Sequence, residues 1–185
     1  MGERILITGG AGFIGRFVSA ELLHRGHQVR VLDSLVEQVH GRTGTPTDLD
    51  REVEFIRGDV RDGDAVERAI RGVDGVIHLA AEVGVGQSMY AVERYTDVND
   101  VGTAVLFEKL IDQPVRRVVT ASSMSIYGEG LYLNADGEAI EDAVRLPRVG
   151  TEASWDPVDA KGRPLTPVAT PEWKRPNLAS VYALN

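Results

Sequence analysis

The sequence predicts an α/β fold, a doubly wound parallel sheet with helices on both faces. Three observations predict it. Short apolar runs alternate with stretches of helical periodicity, a glycine cluster joins the first run to the first helix, and an aspartate closes the second run. The 185 residues suit one domain, and a chain 43% hydrophobic and 26% charged buries a core rather than staying disordered.

The elements follow in order. Residues 3–8 form a short buried strand. Ile14, Phe17, Val18 and Leu22 recur at helical spacing, with Gly26 placed to end that helix. Residues 28–33 make the second strand, the Gly/Thr/Pro/Asp-rich stretch 40–50 a loop, and residues 53–57 the third strand. Val66, Ala69 and Ile70 mark a short helix closed by Gly72. Residues 76–80 are the fourth strand. A long helix over about 91–112 carries Val98, Val101 and Val105 on one face, and residues 117–121 are the fifth strand. Past Gly128 the rhythm breaks. Six of the eight prolines and both tryptophans, Trp155 and Trp173, lie in a stretch of about 129–179. A connection this long is read as a lid or substrate-facing insertion, because large aromatics normally find something to pack on.

Composition excludes several classes. A net charge of −8 argues against a phosphate-contacting nucleic-acid binder, and the absence of cysteine removes disulfides, thiolate nucleophiles and thiolate zinc sites. No apolar run approaches the ~20 residues that span a bilayer. The amino terminus shows no signal-peptide pattern, so the expected location is cytoplasmic. No metal is implied, since all four histidines (24, 27, 40 and 78) precede the insertion.

Thr8-Gly9-Gly10-Ala11-Gly12-Phe13-Ile14-Gly15 links the first strand to the first helix. Glycines there permit a tight turn and close approach of backbone to a pyrophosphate, which the helix amino terminus then holds. Asp33 ends the second strand 21 residues after Gly12, where a carboxylate accepts hydrogen bonds from an adenosine ribose. Ser34 and Leu35 follow, with no arginine to neutralise a 2′-phosphate, so NAD is preferred over NADP.

With these residues, Gly58-Asp59-Val60-Arg61-Asp62, His78-Leu79-Ala80-Ala81 and Ser122-Ser123-Met124-Ser125-Ile126-Tyr127-Gly128, the chain resembles the extended short-chain dehydrogenase/reductases. Within them it looks most like the nucleotide-sugar 4-epimerases of the NAD-dependent epimerase/dehydratase family. The match covers nearly all of residues 3–128 and resumes at Ser180-Val181-Tyr182. Gly162-Arg163-Pro164-Leu165 more narrowly resembles dTDP-L-rhamnose 4-epimerases. The resemblance implies a Rossmann-type NAD-binding domain over residues 1–185, truncated before its last strands and its carboxy-terminal substrate-binding part.

By the same resemblance, Gly9, Gly12, Phe13, Ile14 and Gly15 hold the pyrophosphate, and Asp33 the ribose. Asp59 and Val60 hold the adenine, Asp59 through its carboxylate and Val60 through its backbone. Leu79, Ala80 and Ala81 pass close to the cofactor. Asn99, in Asn99-Asp100-Val101-Gly102-Thr103, is either a cofactor contact or a packing amide. Asp59 can also be read as a helix-capping or turn aspartate, and His78, on a buried strand, is read as a satisfied core histidine rather than a catalyst.

Ser123 and Tyr182 stand at the catalytic positions. A tyrosine titrates near 10, so as a base it needs a nearby cation, in this family a lysine and the nicotinamide ring. Here the family's Tyr-x-x-x-Lys is interrupted: Asn185 is the last residue, one short of the lysine, and Lys109, Lys161 and Lys174 are out of register. The isolated 185 residues are therefore expected to be catalytically crippled. The fifth strand is expected as an open sheet edge.

Three readings stay open. The first is C4 epimerisation of a nucleoside-diphosphate sugar through a 4-keto intermediate, with this chain as the amino-terminal part of the enzyme. The second is a nucleotide-sugar reductase or dehydratase. A dehydratase, however, places Asp-Glu directly after its catalytic Thr, and positions 124 and 125 are Met and Ser. The third is a non-catalytic NAD-binding module. A homodimer is implied for a complete enzyme rather than for this chain.

Overall fold

The computed structural model describes residues 2–43, 46, 48–145 and 155–185. In chain order the elements are β1 (Arg4–Thr8), α1 (Phe13–His24), β2 (Gln28–Asp33), α2 (Glu37–His40), β3 (Glu54–Arg57), α3 (Gly63–Ile70) and β4 (Gly75–His78). There follow α4 (Val85–Ser88), α5 (Val92–Tyr95), a π-helical stretch (Thr96–Val101), α6 (Gly102–Asp112), β5 (Arg117–Thr120), β6 (Leu131–Leu133), β7 (Ala139–Ile140), β8 (Thr166–Val168) and α7 (Val181–Leu184). They divide into two compact units. The first runs through Gly84, then Tyr90–Ser122, with Asn185; the second is Val85–Met89 with Ser123–Leu184.

The first unit is built on a parallel sheet in the order β3-β2-β1-β4-β5. All five strands fall within two residues of the expected spans, because each is short, rich in Val, Ile or Leu, and set between glycine, turn or charged residues. One face packs Leu6, Leu32 and Val76 against Val66, Ala69, Ile70, Leu106 and Leu110 of α3 and α6. The other packs Ile5, Ile7, Val29 and Val31 against Val18, Leu22 and Leu23 of α1. Helices thus cover both faces of the sheet. β5 is an edge strand and mostly exposed, Val119 among its residues.

Two helix faces differ from the periodicity reading. In α1, Ile14 and Phe17 are exposed, and the residues sealed against the sheet are Gly15 and Ser19. Small side chains let the helix come close, and the Ser19 hydroxyl donates to the Gly15 carbonyl at 2.8 Å. In the long helix the buried set is Tyr95, Asn99, Gly102, Leu106 and Leu110, while Val101 is exposed. The π-helical stretch at 96–101 widens the turn and shifts the face, which a 3.6-residue period does not reveal.

In the second unit the insertion is a small antiparallel sheet, ordered β7-β6-β8, around Tyr132, Ala143, Leu165 and Ile140. Pro167 sits opposite Tyr132 on the edge strand β8, where a missing N–H is tolerated. The tryptophans are not its core: Trp155 and Trp173 are 50% and 64% exposed. Part of the expected loop at 40–50 is a 3₁₀ turn at Gly41–Thr43.

Asp62 caps α3, its carboxylate accepting the N–H groups of Asp64 (3.0 Å) and Ala65 (3.3 Å). Asp62→Ala is expected to lower unfolding stability by about 1 kcal/mol. Urea denaturation would show this as a lower midpoint at unchanged slope.

Candidate functional site

The glycine turn follows from backbone geometry. Gly9 has φ +67, and a Cβ there would lie 2.7 Å from the Ala80 nitrogen, so the turn rests directly on the carboxyl end of β4. A Cβ on Gly10 would strike Val31, and one on Gly15 would fall 2.4 Å from the Gly10 Cα. Those three glycines are required by packing. Gly12 differs in degree: a Cβ there would meet only the Gly9 carbonyl oxygen, at 3.3 Å, a tight contact rather than a clash. No side chain caps α1, whose first-turn N–H groups at Phe13, Ile14 and Gly15 have no partner inside the helix. A cavity of about 230 Å³ opens there, lined by Ala11, Gly12, Phe13, Arg16, Val39, His40 and Asp48. A pyrophosphate fits this combination of glycine turn, free N–H groups and positive helix end.

Asp33 is buried beside the turn. One carboxylate oxygen accepts the Ala11 N–H (3.0 Å), the other accepts the Leu35 N–H (2.9 Å), and His40 Nε2 lies 3.6 Å away. Leu35, at φ +55, is held in the left-handed region to complete that turn. A carboxylate has about four acceptor sites, so capacity remains for a ribose hydroxyl. His40 was not singled out by the sequence, because its partner lies seven residues back across a loop.

Asp59 accepts two hydrogen bonds from the Arg61 guanidinium (2.9 and 2.7 Å) and one from the Arg61 backbone N–H. Arg61 also pairs with Asp97 of the π-helical stretch. The Arg61 guanidinium holds the Asp59 carboxyl below the usual carboxylate range, so it remains an acceptor. Val60 is buried against Gly102, where a Cβ would meet its side chain at 2.7 Å.

His78 is a core histidine with both ring nitrogens occupied. The Ala80 N–H donates to Thr8 Oγ1 (3.3 Å), leaving that hydroxyl to donate to His78 Nδ1 (2.6 Å). Nε2–H then donates to Thr103 Oγ1 (3.0 Å), which donates to the Asn99 carbonyl. This order fixes the neutral tautomer. The Asn99 amide exchanges two bonds with the Glu82 backbone, accepting its N–H (2.8 Å) and donating to its carbonyl (3.1 Å). Asn99 thus anchors the loop after Leu79-Ala80-Ala81 through the Glu82 backbone.

In the second unit, Ser123 begins the 3₁₀ turn Met124–Tyr127, its hydroxyl oxygen accepting the Ser125 N–H at 3.1 Å. Tyr182 lies in α7, and its backbone N–H donates to the Ser88 hydroxyl at 3.1 Å. α7 packs beside the Ser123 turn, so the unit brings the elements bearing both predicted catalytic residues together. Lys174, out of register by sequence, is buried there and donates to the carbonyls of Tyr127 and Arg175.

Comparison with known proteins fits this geometry. The profile of the NAD dependent epimerase/dehydratase family matches residues 5–145. The chain belongs to that family. It is 36% identical over 159 residues to a dTDP-L-rhamnose 4-epimerase of Burkholderia thailandensis, covering 84% of this chain and 44% of the relative. It is 39% identical over 132 residues to a UDP-glucose 4-epimerase of Streptomyces lividans, covering 70% and 38%. Among solved structures, the Thermus thermophilus UDP-glucose 4-epimerase in complex with NAD superposes with a TM-score of 0.64. It is 32% identical, over 98% of this chain and 46% of that one. The chain thus spans less than half the length of these relatives. Among the described residues, no helix is long and apolar enough to cross a membrane.

Within this epimerase/dehydratase fold, burial holds the His78 imidazole below its ordinary range. The unfolded chain takes up a proton there near pH 6.5, while the folded chain takes it up only at lower pH. Its contribution is therefore complete above that pH and lost as pH falls. The urea midpoint should drop more between pH 8 and 5.5 in the wild type than in His78→Gln; equal drops would show that His78 does not set acid lability.

Proposed function

We propose that this chain is the NAD-binding part of a nucleotide-sugar 4-epimerase. The observation that carries the reading is the tight glycine turn at an uncapped helix end with the Asp33 carboxylate beside it. Gly9, Gly12, Phe13, Ile14 and Gly15 present backbone to the pyrophosphate. Asp33 receives the ribose and, being anionic, disfavours a 2′-phosphate. Asp59, kept ionised by Arg61, accepts from the adenine amino group, and Val60 contributes its backbone. Ala80 and Ala81 leave space for the rest of the cofactor. Held by these residues, NAD would supply the hydride acceptor and donor for the sugar C4.

Ser123 hydrogen-bonds the C4 hydroxyl oxygen, and Tyr182 removes its proton, giving the 4-keto sugar. Once the sugar has turned over and would meet the cofactor's hydride on its other face, Tyr182 returns the proton to the C4 oxygen. The family resemblance supports both residues, as does their placement on packed neighbouring elements. The substrate is a nucleoside-diphosphate sugar, as in the names of the relatives, and the finer match favours a deoxythymidine-linked one. A cytoplasmic homodimer is the form expected of the whole enzyme.

The test uses the natural full-length protein with NAD and either dTDP-L-rhamnose or UDP-glucose, following C4 inversion by proton NMR. Inversion without net NADH release is expected. Tyr182→Phe should lower kcat about 10²- to 10⁴-fold with little change in NAD affinity. Stoichiometric consumption of cofactor would instead mark a reductase or dehydrogenase. Binding of NAD without turnover would mark a non-catalytic module.

A further inference from the structure

The second unit contains a buried cation that the proposed reaction does not use. Lys174 is 2% exposed, and its ammonium donates to the Tyr127 carbonyl and the Arg175 carbonyl, each at 3.1 Å. Among the described residues it pairs with no carboxylate. Burying an ammonium without a counter-charge is costly, and two neutral carbonyls offset it only in part. An apolar side chain would fill the same space at less cost, so the bond to Tyr127 is the feature that needs a reason.

The turn it touches supplies one. No side chain of Met124–Tyr127 is fully buried, Ile126 and Tyr127 being half-buried, so packing alone fixes it only in part. Polar anchors supply the rest. Ser123 caps its start, the Asn177 N–H donates to the Ile126 carbonyl at 2.7 Å, and Lys174 takes the Tyr127 carbonyl. Gly128, at φ +61, lets the chain leave closely, since a Cβ there would lie 3.0 Å from the Asn177 carbonyl oxygen. Segment 171–177 is thus a strap laid along the serine-bearing turn. Five residues after Asn177 the same segment reaches Tyr182, in a helix whose Ala183 and Leu184 N–H groups donate back to Ser180.

We propose that Lys174 is a positioning residue: its buried ammonium ties the Ser123 turn to the strap that carries Tyr182, and so sets the geometry of that pair. The inference rests on the epimerase reading for its consequence and on the strap geometry for its substance. Lys174 touches no reacting atom. It acts through the Tyr127 carbonyl and the four-residue turn ending there.

The test compares Lys174→Met and Lys174→Arg with wild type in the natural full-length protein. It measures kcat, KM, NAD affinity and hydrogen exchange of the backbone amides at 125–128. Lys174→Met should lower kcat about 10- to 100-fold, since small misplacements of reacting groups cost that much, and shift KM by less than about 3-fold. Amides 125–128 should exchange faster, NAD affinity should stay unchanged, and Lys174→Arg should recover most of kcat. Unchanged kcat in Lys174→Met overturns the proposal. So does a joint loss of kcat, NAD affinity and exchange protection throughout the protein in both variants, which would make Lys174 a general stabiliser. If the wild type turns over no nucleotide sugar, the epimerase reading fails and exchange alone decides. Faster exchange confined to 125–128 in Lys174→Met then upholds the tie, and unchanged exchange overturns it.

Discussion

The structure depends on one close approach, the Gly9 backbone lying on the carboxyl end of β4 with no room for a side chain. A positive φ at Gly9 turns the chain out of β1, and the absence of a Cβ lets it touch Leu79 and Ala80. Gly15 then seats α1 on Gly10 at a separation that no larger residue allows. Because these contacts fix where the helix begins, they also fix where its unpaired N–H groups point. The candidate anion site is a consequence of the packing, with Gly12 the least crowded of the four glycines in the turn.

Polar contacts carry this geometry outward. The Ala80 N–H, Thr8, His78, Thr103 and the Asn99 carbonyl form one directed chain from β4 and β1 into the long helix. Asn99 continues it to Glu82, and Arg61 ties the Asp59 turn to Asp97, two residues away on the same π-helical stretch. A π-helical turn presents Asn99 inward and Asp97 outward to Arg61, joining two loops that flank the candidate cofactor site. Buried networks of this kind specify one arrangement because each unmade bond is expensive.

The sheet was legible because its strands are short and rich in β-branched and other apolar residues, and Asp33 and Gly12 stood out by their spacing in the sequence. Helix faces were less legible. In α1 the sealed residues are small, Gly15 and Ser19, while exposed Ile14 and Phe17 imitated a core stripe. The insertion misled for another reason. Its strands are two or three residues long, one contains Pro167, and β6 and β8 are separated by more than thirty residues. Period-2 patterning has no length in which to show. Lys174 was visible only as a lysine out of register, since its value lies in two backbone carbonyls rather than in any side-chain motif.

The central claim is that the first unit is an NAD cradle selective against a 2′-phosphate. It is tested most directly by titrating NAD and NADP into the purified chain by calorimetry, alongside Gly15→Ala. The account predicts saturable NAD binding at least about tenfold tighter than NADP, a factor worth ~1.4 kcal/mol, and weakening of both in Gly15→Ala as its new Cβ displaces the Gly10 backbone. Equal affinities for the two dinucleotides, or binding indifferent to Gly15→Ala, would contradict it.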